Sequence, residues 1–128
     1  MFMLKKINIK SKDLTKIIEK LENYLCLLDI HFNVEFQYYK ECKELNKFII
    51  KLIRMEKVKF GKGIAIQPRE FRKIIRYFED YLDLLDMEFN SNINDDNLKK
   101  EYKEKYSDIE SFMDKLYNKY SNADSRIH

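Results

Sequence analysis

One stretch of the chain, residues 47–76, concentrates positive charge in a way that suits a polyanionic partner. It holds ten lysine and arginine residues and only two acidic ones, Glu56 and Glu70. Phosphate groups are bound by such cationic donors when these are spread over a continuous surface. The candidate residues for a partner- or nucleic-acid-binding surface are Lys47, Lys51, Arg54, Lys57, Lys59, Lys62, Arg69, Arg72, Lys73 and Arg76.

The segment that follows, residues 79–96, is acidic and contains no lysine or arginine. Carboxylates at helical spacing can hold a divalent cation, but no EF-hand loop accompanies these, so we assign no metal site. The candidate acidic docking surface consists of Glu79, Asp80, Asp83, Asp86 and Glu88. Two alternatives stay open: a solvated helix face, and pairing with the basic residues within one molecule or between two.

Residue patterns typical of catalysis are scarce. His31 and His128 are the only histidines, and no pair of Cys or His residues has the spacing of a zinc site. The run Gly61-Lys62-Gly63 is too short for a phosphate-binding loop and precedes a predicted strand. We therefore expect a protein that is not an enzyme and that needs no cofactor.

Charge is unevenly divided along the chain. Residues 1–76 hold 18 basic and nine acidic side chains, whereas residues 77–128 hold seven basic and 13 acidic ones. This asymmetry points to a polyanionic or acidic partner for one part of the molecule.

Composition excludes several classes of protein. The 128 residues are 45% apolar and 14% aromatic, which is too much for an intrinsically disordered chain and enough for one domain with a core. Two glycines and one proline argue against collagen, a turn-rich β-sandwich and a long flexible linker.

The sequence contains an internal repeat. Residues 7–33 align with residues 64–90 at an offset of 57, and 13 of the 27 aligned positions are identical. We therefore predict one domain over residues 1–128 that consists of two tandem repeats, about 1–56 and 57–122. The last residues, 121–128, are predicted to fray.

Each repeat reads as a short strand, a helix, a turn and a second helix. The first helix of each repeat is predicted to begin at Ser11 in the first copy and at Pro68 in the second. Apolar residues then recur along it in steps of three and four. These are Leu14, Ile18, Leu21, Leu25, Leu28 and Phe32 in the first copy, and Phe71, Ile75, Phe78, Leu82, Leu85 and Phe89 in the second.

These elements predict a mainly α (α+β) fold. Internally duplicated β-α-α units would form a four-helix core with a short β-hairpin, over residues 58–66, or a small sheet at one end. A pseudo-two-fold arrangement of the repeats and a stacked one both remain open.

Cys26 and Cys42 lie within apolar helical patterns, so we expect free buried thiols, with a disulfide between adjacent helices left open. The apolar N-terminus is too short for a secretory signal, and no segment is long enough to span a membrane. A cytoplasmic protein without a membrane partner is expected.

We expect a non-enzymatic interaction protein whose polarised surface docks, inhibits or regulates a macromolecular partner, most simply another protein. From its size and composition, one setting we consider for such a protein is anti-defence activity of a phage or mobile element. The alternative is a nucleic-acid-binding module that uses the basic surface of residues 47–76. A homodimer remains open, because opposite charge clusters on one chain could pair between protomers.

Overall fold

A computed structural model describes residues 6–32, 36–58, 62–91 and 94–125. The elements are β1 (Ile7–Ile9), α1 (Ser11–Phe32), α2 (Phe36–Val58), β2 (Ile64–Ile66), α3 (Pro68–Ser91) and α4 (Asp96–Ser125). Four helices with a small two-stranded antiparallel sheet confirm the predicted mainly α fold class. The chain divides into two compact units, a first unit of Asn8–Ile66 and a second unit of Met1–Ile7 with Gln67–His128.

Local capping signals fix where the helices of the second unit begin. Pro68 is the first residue of α3, as predicted, and its fixed φ suits that position. The backbone N–H of Gln67 donates to the Glu70 carboxylate at 3.1 Å, which satisfies a group that the helix itself leaves without a partner. At α4, the Asp95 carboxylate accepts the N–H of Leu98 at 3.1 Å.

In the first unit, α1 packs against α2. The fully buried side chains of these two helices include Leu14, Leu21, Leu28, Leu45 and Leu52. The Thr15 hydroxyl near the start of α1 lies 3.4 Å from the Glu56 carboxylate near the end of α2. Further along, the Tyr24 hydroxyl lies 3.4 Å from the carboxylate of Glu41. The two helices are therefore antiparallel.

In the second unit, α3 packs against α4. The rings of Phe71 and Tyr120 meet edge to face with centroids 6.0 Å apart, and those of Phe78 and Phe112 meet in the same way at 5.8 Å. Edge-to-face rings stabilise a core by more than their buried area alone. The order of these contacts along the two helices makes this pair antiparallel as well.

The strands form the small sheet that was predicted as the alternative to a local hairpin. β2 pairs with β1, and Ile7, Ile9, Ile64 and Ile66 are all buried. Val58, predicted to start the hairpin, is instead the last residue of α2, because no glycine or proline interrupts the helix before Gly61. Lys59, Phe60 and Gly61 lie outside the described residues.

Equivalent elements lie 57 residues apart. β1 and β2 start at Ile7 and Ile64, and α1 and α3 start at Ser11 and Pro68. These starts have the spacing of the predicted repeat. The internal duplication itself, and the limits of the two copies, remain predictions. α4 continues to Ser125, into the segment predicted to fray.

Both cysteines are free thiols. Cys42 is buried, and burial is the main cause that raises the pKa of its thiol, with smaller contributions from the charges of Asp29 and Glu41. Cys26 is exposed, so its predicted burial was wrong. It lies on the side of α1 that faces away from the leucines packed against α2.

Gly63 is required by the backbone next to the sheet. Its φ is 83°, a region that glycine adopts readily and other residues rarely do. A Cβ at this position would overlap the carbonyl oxygen of Ile9 in β1. We expect Gly63→Ala to lower the free energy of unfolding by about 1–3 kcal/mol, measured by urea denaturation. The neighbouring exposed Lys62→Ala is the control, and equal stability of the two variants would contradict this geometry.

Candidate functional site

The basic residues of α2 lie on the side of the helix opposite its buried leucines. Lys47, Lys51 and Arg54 are exposed and share one face, as predicted. Lys57 and Lys62 are exposed as well. Lys59 lies outside the described residues. These positions belong to the first unit.

This face begins earlier along α2 than the sequence analysis recognised. Lys40 and Lys43 are exposed and continue the same helical spacing backward from Lys47, which is the signal that would have found them. We define the α2 basic stripe as Lys40, Lys43, Lys47, Lys51 and Arg54. It runs for about 21 Å. Beside it, Tyr39 is 44% exposed, and the Lys43 Nζ lies 4.7 Å from the centroid of its ring.

The other predicted basic residues lie on α3, in the second unit. Arg69, Arg72 and Arg76 are exposed on one face, whereas Lys73 is half-buried. The Arg76 Cζ lies 5.3 Å from the centroid of the buried Tyr77 ring, and the Lys73 Nζ lies 5.9 Å from it. Contacts of this kind hold the cations close to the helix. The ten predicted basic residues are thus divided between the two units.

The same face of α3 then changes sign. Glu79, Asp83 and Asp86 are exposed and continue the row begun by the arginines in steps of three and four. We define the α3 charge stripe as Arg69, Arg72, Arg76, Glu79, Asp83 and Asp86. It is about 25 Å long, with its positive half toward the start of the helix. Predicted basic and acidic residues therefore meet end to end on one helix.

Two acidic residues of the predicted surface lie elsewhere. Asp80 is half-buried. Glu88 is buried, only 9% exposed, so placing it on a docking surface was wrong. Its carboxylate accepts a hydrogen bond from the Tyr102 hydroxyl of α4 at 3.4 Å. Position 88 follows the buried Tyr81 and Leu85 by seven and three residues, which is the spacing of the core face.

A cleft of about 250 Å³ opens between α3 and α4, and the sequence analysis did not foresee it. Its walls are largely apolar, with three aromatic rings and charged groups of both signs. They consist of Leu85, Asp86, Phe89, Tyr102, Lys103, Tyr106 and Ser107. We name it the α3–α4 cleft. Asp86 belongs both to this cleft and to the α3 charge stripe, so the acidic half of the stripe leads into the cleft.

Several carboxylates near the Tyr102 hydroxyl act on its pKa. Burial is the largest cause that raises its pKa. The charge of Glu88 and the hydrogen bond to it come next, followed by the charges of Glu101 and Asp95. Each of these carboxylates disfavours a phenolate and would favour a nearby cation.

A metal-binding group of side chains and a membrane-spanning helix are both absent from the described part of the chain. Within it, no group of three or more His, Cys, Asp or Glu side chains is placed to hold a metal ion. None of its helices combines the length and the apolar character needed to cross a membrane.

The pKa of the Asp80 carboxyl, in the middle of α3, predicts how the stability of the protein depends on pH. Burial raises the pKa of its carboxyl, the charge of Arg76 opposes this rise, and that of Asp83 adds to it. Because the folded state then holds the proton more tightly than the unfolded chain, ionised Asp80 opposes folding at neutral pH. This opposition is lost as the pH falls below the unfolded pKa of about 3.9.

We therefore expect Asp80→Asn to raise the melting temperature at about pH 7 and to have little effect at about pH 3. The exposed α4 variant Asp114→Asn removes the same charge and controls for net charge. A lower melting temperature for Asp80→Asn at neutral pH would contradict the direction of the shift.

Comparisons of the chain with protein-family models, with curated proteins and with solved structures find no match. The features of the molecule that bear on its function are the α2 basic stripe, the α3 charge stripe and the α3–α4 cleft.

Proposed function

We propose that the protein is a non-enzymatic interaction protein that docks another protein through the α3 charge stripe and thereby inhibits or regulates it. The observation that carries this proposal is the change of sign within one exposed row: three arginines, then three carboxylates. A partner that matches it presents an acidic patch followed by a basic one. Such complementarity fixes the orientation of the partner as well as attracting it.

The α3 charge stripe is unfavourable for the helix that carries it. Four of its five neighbouring pairs have like charge, and each such pair destabilises an isolated helix by about 0.2–0.5 kcal/mol. Arg69 also lies in the first turn, near the positive end of the helix dipole. On α4, by contrast, Lys105 and Glu101 form an ion pair of 3.2 Å in the arrangement that stabilises helices. Runs of like charge within one row suit a surface that meets charges of opposite sign on a partner.

A second copy of this chain would also complement the stripe, because antiparallel α3 helices place arginines against carboxylates. Six exposed ion pairs at about 0–1 kcal/mol each barely reach the lower range of the association cost, about 4–15 kcal/mol. A homodimer held by this stripe alone would therefore be weak. This comparison favours a different protein that adds apolar contacts.

The biological setting belongs to the same proposal. A small protein with a polarised surface suits the inhibition of a larger macromolecule, as anti-defence proteins of phages and mobile elements do. We place this activity in the cytoplasm.

The stripe is tested by reversing each half separately. We expect Arg72→Glu/Arg76→Glu and Glu79→Lys/Asp83→Lys each to weaken capture of the same protein by about tenfold or more, because each places like charges together. Affinity capture identifies the partner, and biolayer interferometry measures the loss. Circular dichroism confirms that each variant is folded.

Matched controls carry the same changes of charge on exposed positions of α4, namely Lys100→Glu/Lys115→Glu and Glu104→Lys/Glu110→Lys. The proposal requires a protein that the wild type and both controls retain and both stripe variants lose. If every captured protein binds the stripe variants as well as the wild type, the stripe is not a docking surface.

A second candidate function, nucleic-acid binding, is supported by the α2 basic stripe. All five of its charged residues are positive, unlike those of the α3 charge stripe. They extend for about 21 Å, a length that matches several phosphates of a nucleic-acid strand. The exposed Tyr39 at one end offers a ring for stacking with a base. This surface involves the first unit, whereas the α3 charge stripe involves the second.

Fluorescence anisotropy with labelled single- and double-stranded DNA and RNA tests this candidate. Five phosphate contacts would make double-stranded binding several hundredfold weaker, roughly, when salt rises from about 50 to about 200 mM. We expect Lys47→Glu/Arg54→Glu to abolish such binding and Arg72→Glu/Arg76→Glu to spare it. An absence of binding at low salt would remove this candidate and leave the protein partner.

A further inference from the structure

The α3–α4 cleft has the size of a side chain. Its volume of about 250 Å³ is below the range of roughly 300–1,000 Å³ that is typical of pockets for drug-sized ligands. It lies where the acidic half of the α3 charge stripe ends, since Asp86 belongs to both. A protein docked along the stripe would therefore pass over the opening of the cleft.

The chemistry of the cleft suits a cation with an apolar stem. Phe89, Tyr102 and Tyr106 contribute aromatic rings, whose faces attract cations, and Leu85 contributes an apolar wall. The ring of Phe89 already has a cation near it, with the Lys99 Nζ 5.3 Å from its centroid. Aromatic rings with a carboxylate at the edge recognise guanidinium groups well, because a guanidinium stacks on rings and pairs with carboxylates in a plane.

The charges around the cleft favour a cation on balance. Asp86 lines the cleft, and the buried Glu88 accepts the hydrogen bond of the Tyr102 hydroxyl. Asp95 and Glu101 add negative charge at that hydroxyl, although Glu101 is also paired with Lys105. Lys99 and the exposed Lys103 oppose a cation. The exposed Lys103 can keep its charged end in water. The Lys99 ammonium near the Phe89 ring competes with an entering cation for that ring. The positive charges of these two lysines weaken the site without closing it.

We propose that the α3–α4 cleft binds the guanidinium end of one arginine side chain from the partner protein. This inference rests on the proposed docking through the α3 charge stripe and deepens it. The basic patch of the partner would lie along Glu79, Asp83 and Asp86, and one of its arginines would enter the cleft and serve as an anchor. Buried arginines are frequent among the residues that dominate binding energy at protein interfaces.

Two small probes test the site without the partner. Nα-acetyl-arginine methylamide carries the guanidinium, and Nα-acetyl-citrulline methylamide has nearly the same shape without the charge. Titration of the full chain, followed by ¹H–¹⁵N correlation spectra, should show saturable shifts at residues 85–89 and 102–107. The arginine probe should bind at least about threefold more tightly than the citrulline probe.

Variants locate the binding site. Asp86→Asn and Tyr106→Leu should each weaken binding of the arginine probe by about threefold or more, and Lys103→Gln should strengthen it. Asp83→Asn is the matched control, because it removes one charge from the same stripe one turn away and outside the lining of the cleft. It should change the affinity by less than twofold, roughly, as expected for a screened surface charge. The spectra also report whether each variant is folded.

The inference is overturned if the arginine probe gives no saturable shifts, if both probes bind equally, or if Asp83→Asn weakens binding as much as Asp86→Asn. A failure of the proposed docking through the α3 charge stripe gives a different set of results. In that case the stripe reversals leave partner capture unchanged, while the arginine probe still binds the cleft.

Discussion

Burial of one face of α3 against α4 is the contact on which the candidate sites of the second unit depend. The α3 charge stripe opposes helix formation by roughly 0.8–2 kcal/mol over its four like-charged pairs. Burying a single phenylalanine such as Phe71 or Phe78 contributes about 1.5–3 kcal/mol. Burial of these two side chains, which pack against Tyr120 and Phe112, therefore outweighs the repulsion on the outer face. The packing also forms the cleft, whose walls come from both helices.

Much of this fold could be predicted from the sequence because its signals are local. Apolar residues in steps of three and four predicted the buried faces of α1 and α3, and Ser11 and Pro68 marked where these helices begin. The same periodicity predicted which charged residues are exposed. Arg72 and Asp83, for example, lie on the face of α3 opposite its buried apolar residues.

The sequence was less informative in two situations. One is a residue whose helical spacing was not considered, and the other is a contact between elements that are far apart in the sequence. Glu88 was grouped with other acidic residues by type, although its spacing from Leu85 places it on the core face. β2 pairs with β1, more than 50 residues away, and the sequence left this small sheet and a local hairpin both open. The α3–α4 cleft depends on how two helices meet, so the pattern of either helix alone could not reveal it.

The order of charges on α3 also has a kinetic consequence. Three positive and three negative charges, with centres about 15 Å apart, form a dipole of about 45 elementary charges times ångström. The backbone of this 24-residue helix contributes about 18 in the same direction. The two dipoles add, so α3 exerts a torque on an approaching charged molecule before contact. Association through this face would be fast and correctly oriented in dilute salt and would slow as ionic strength rises.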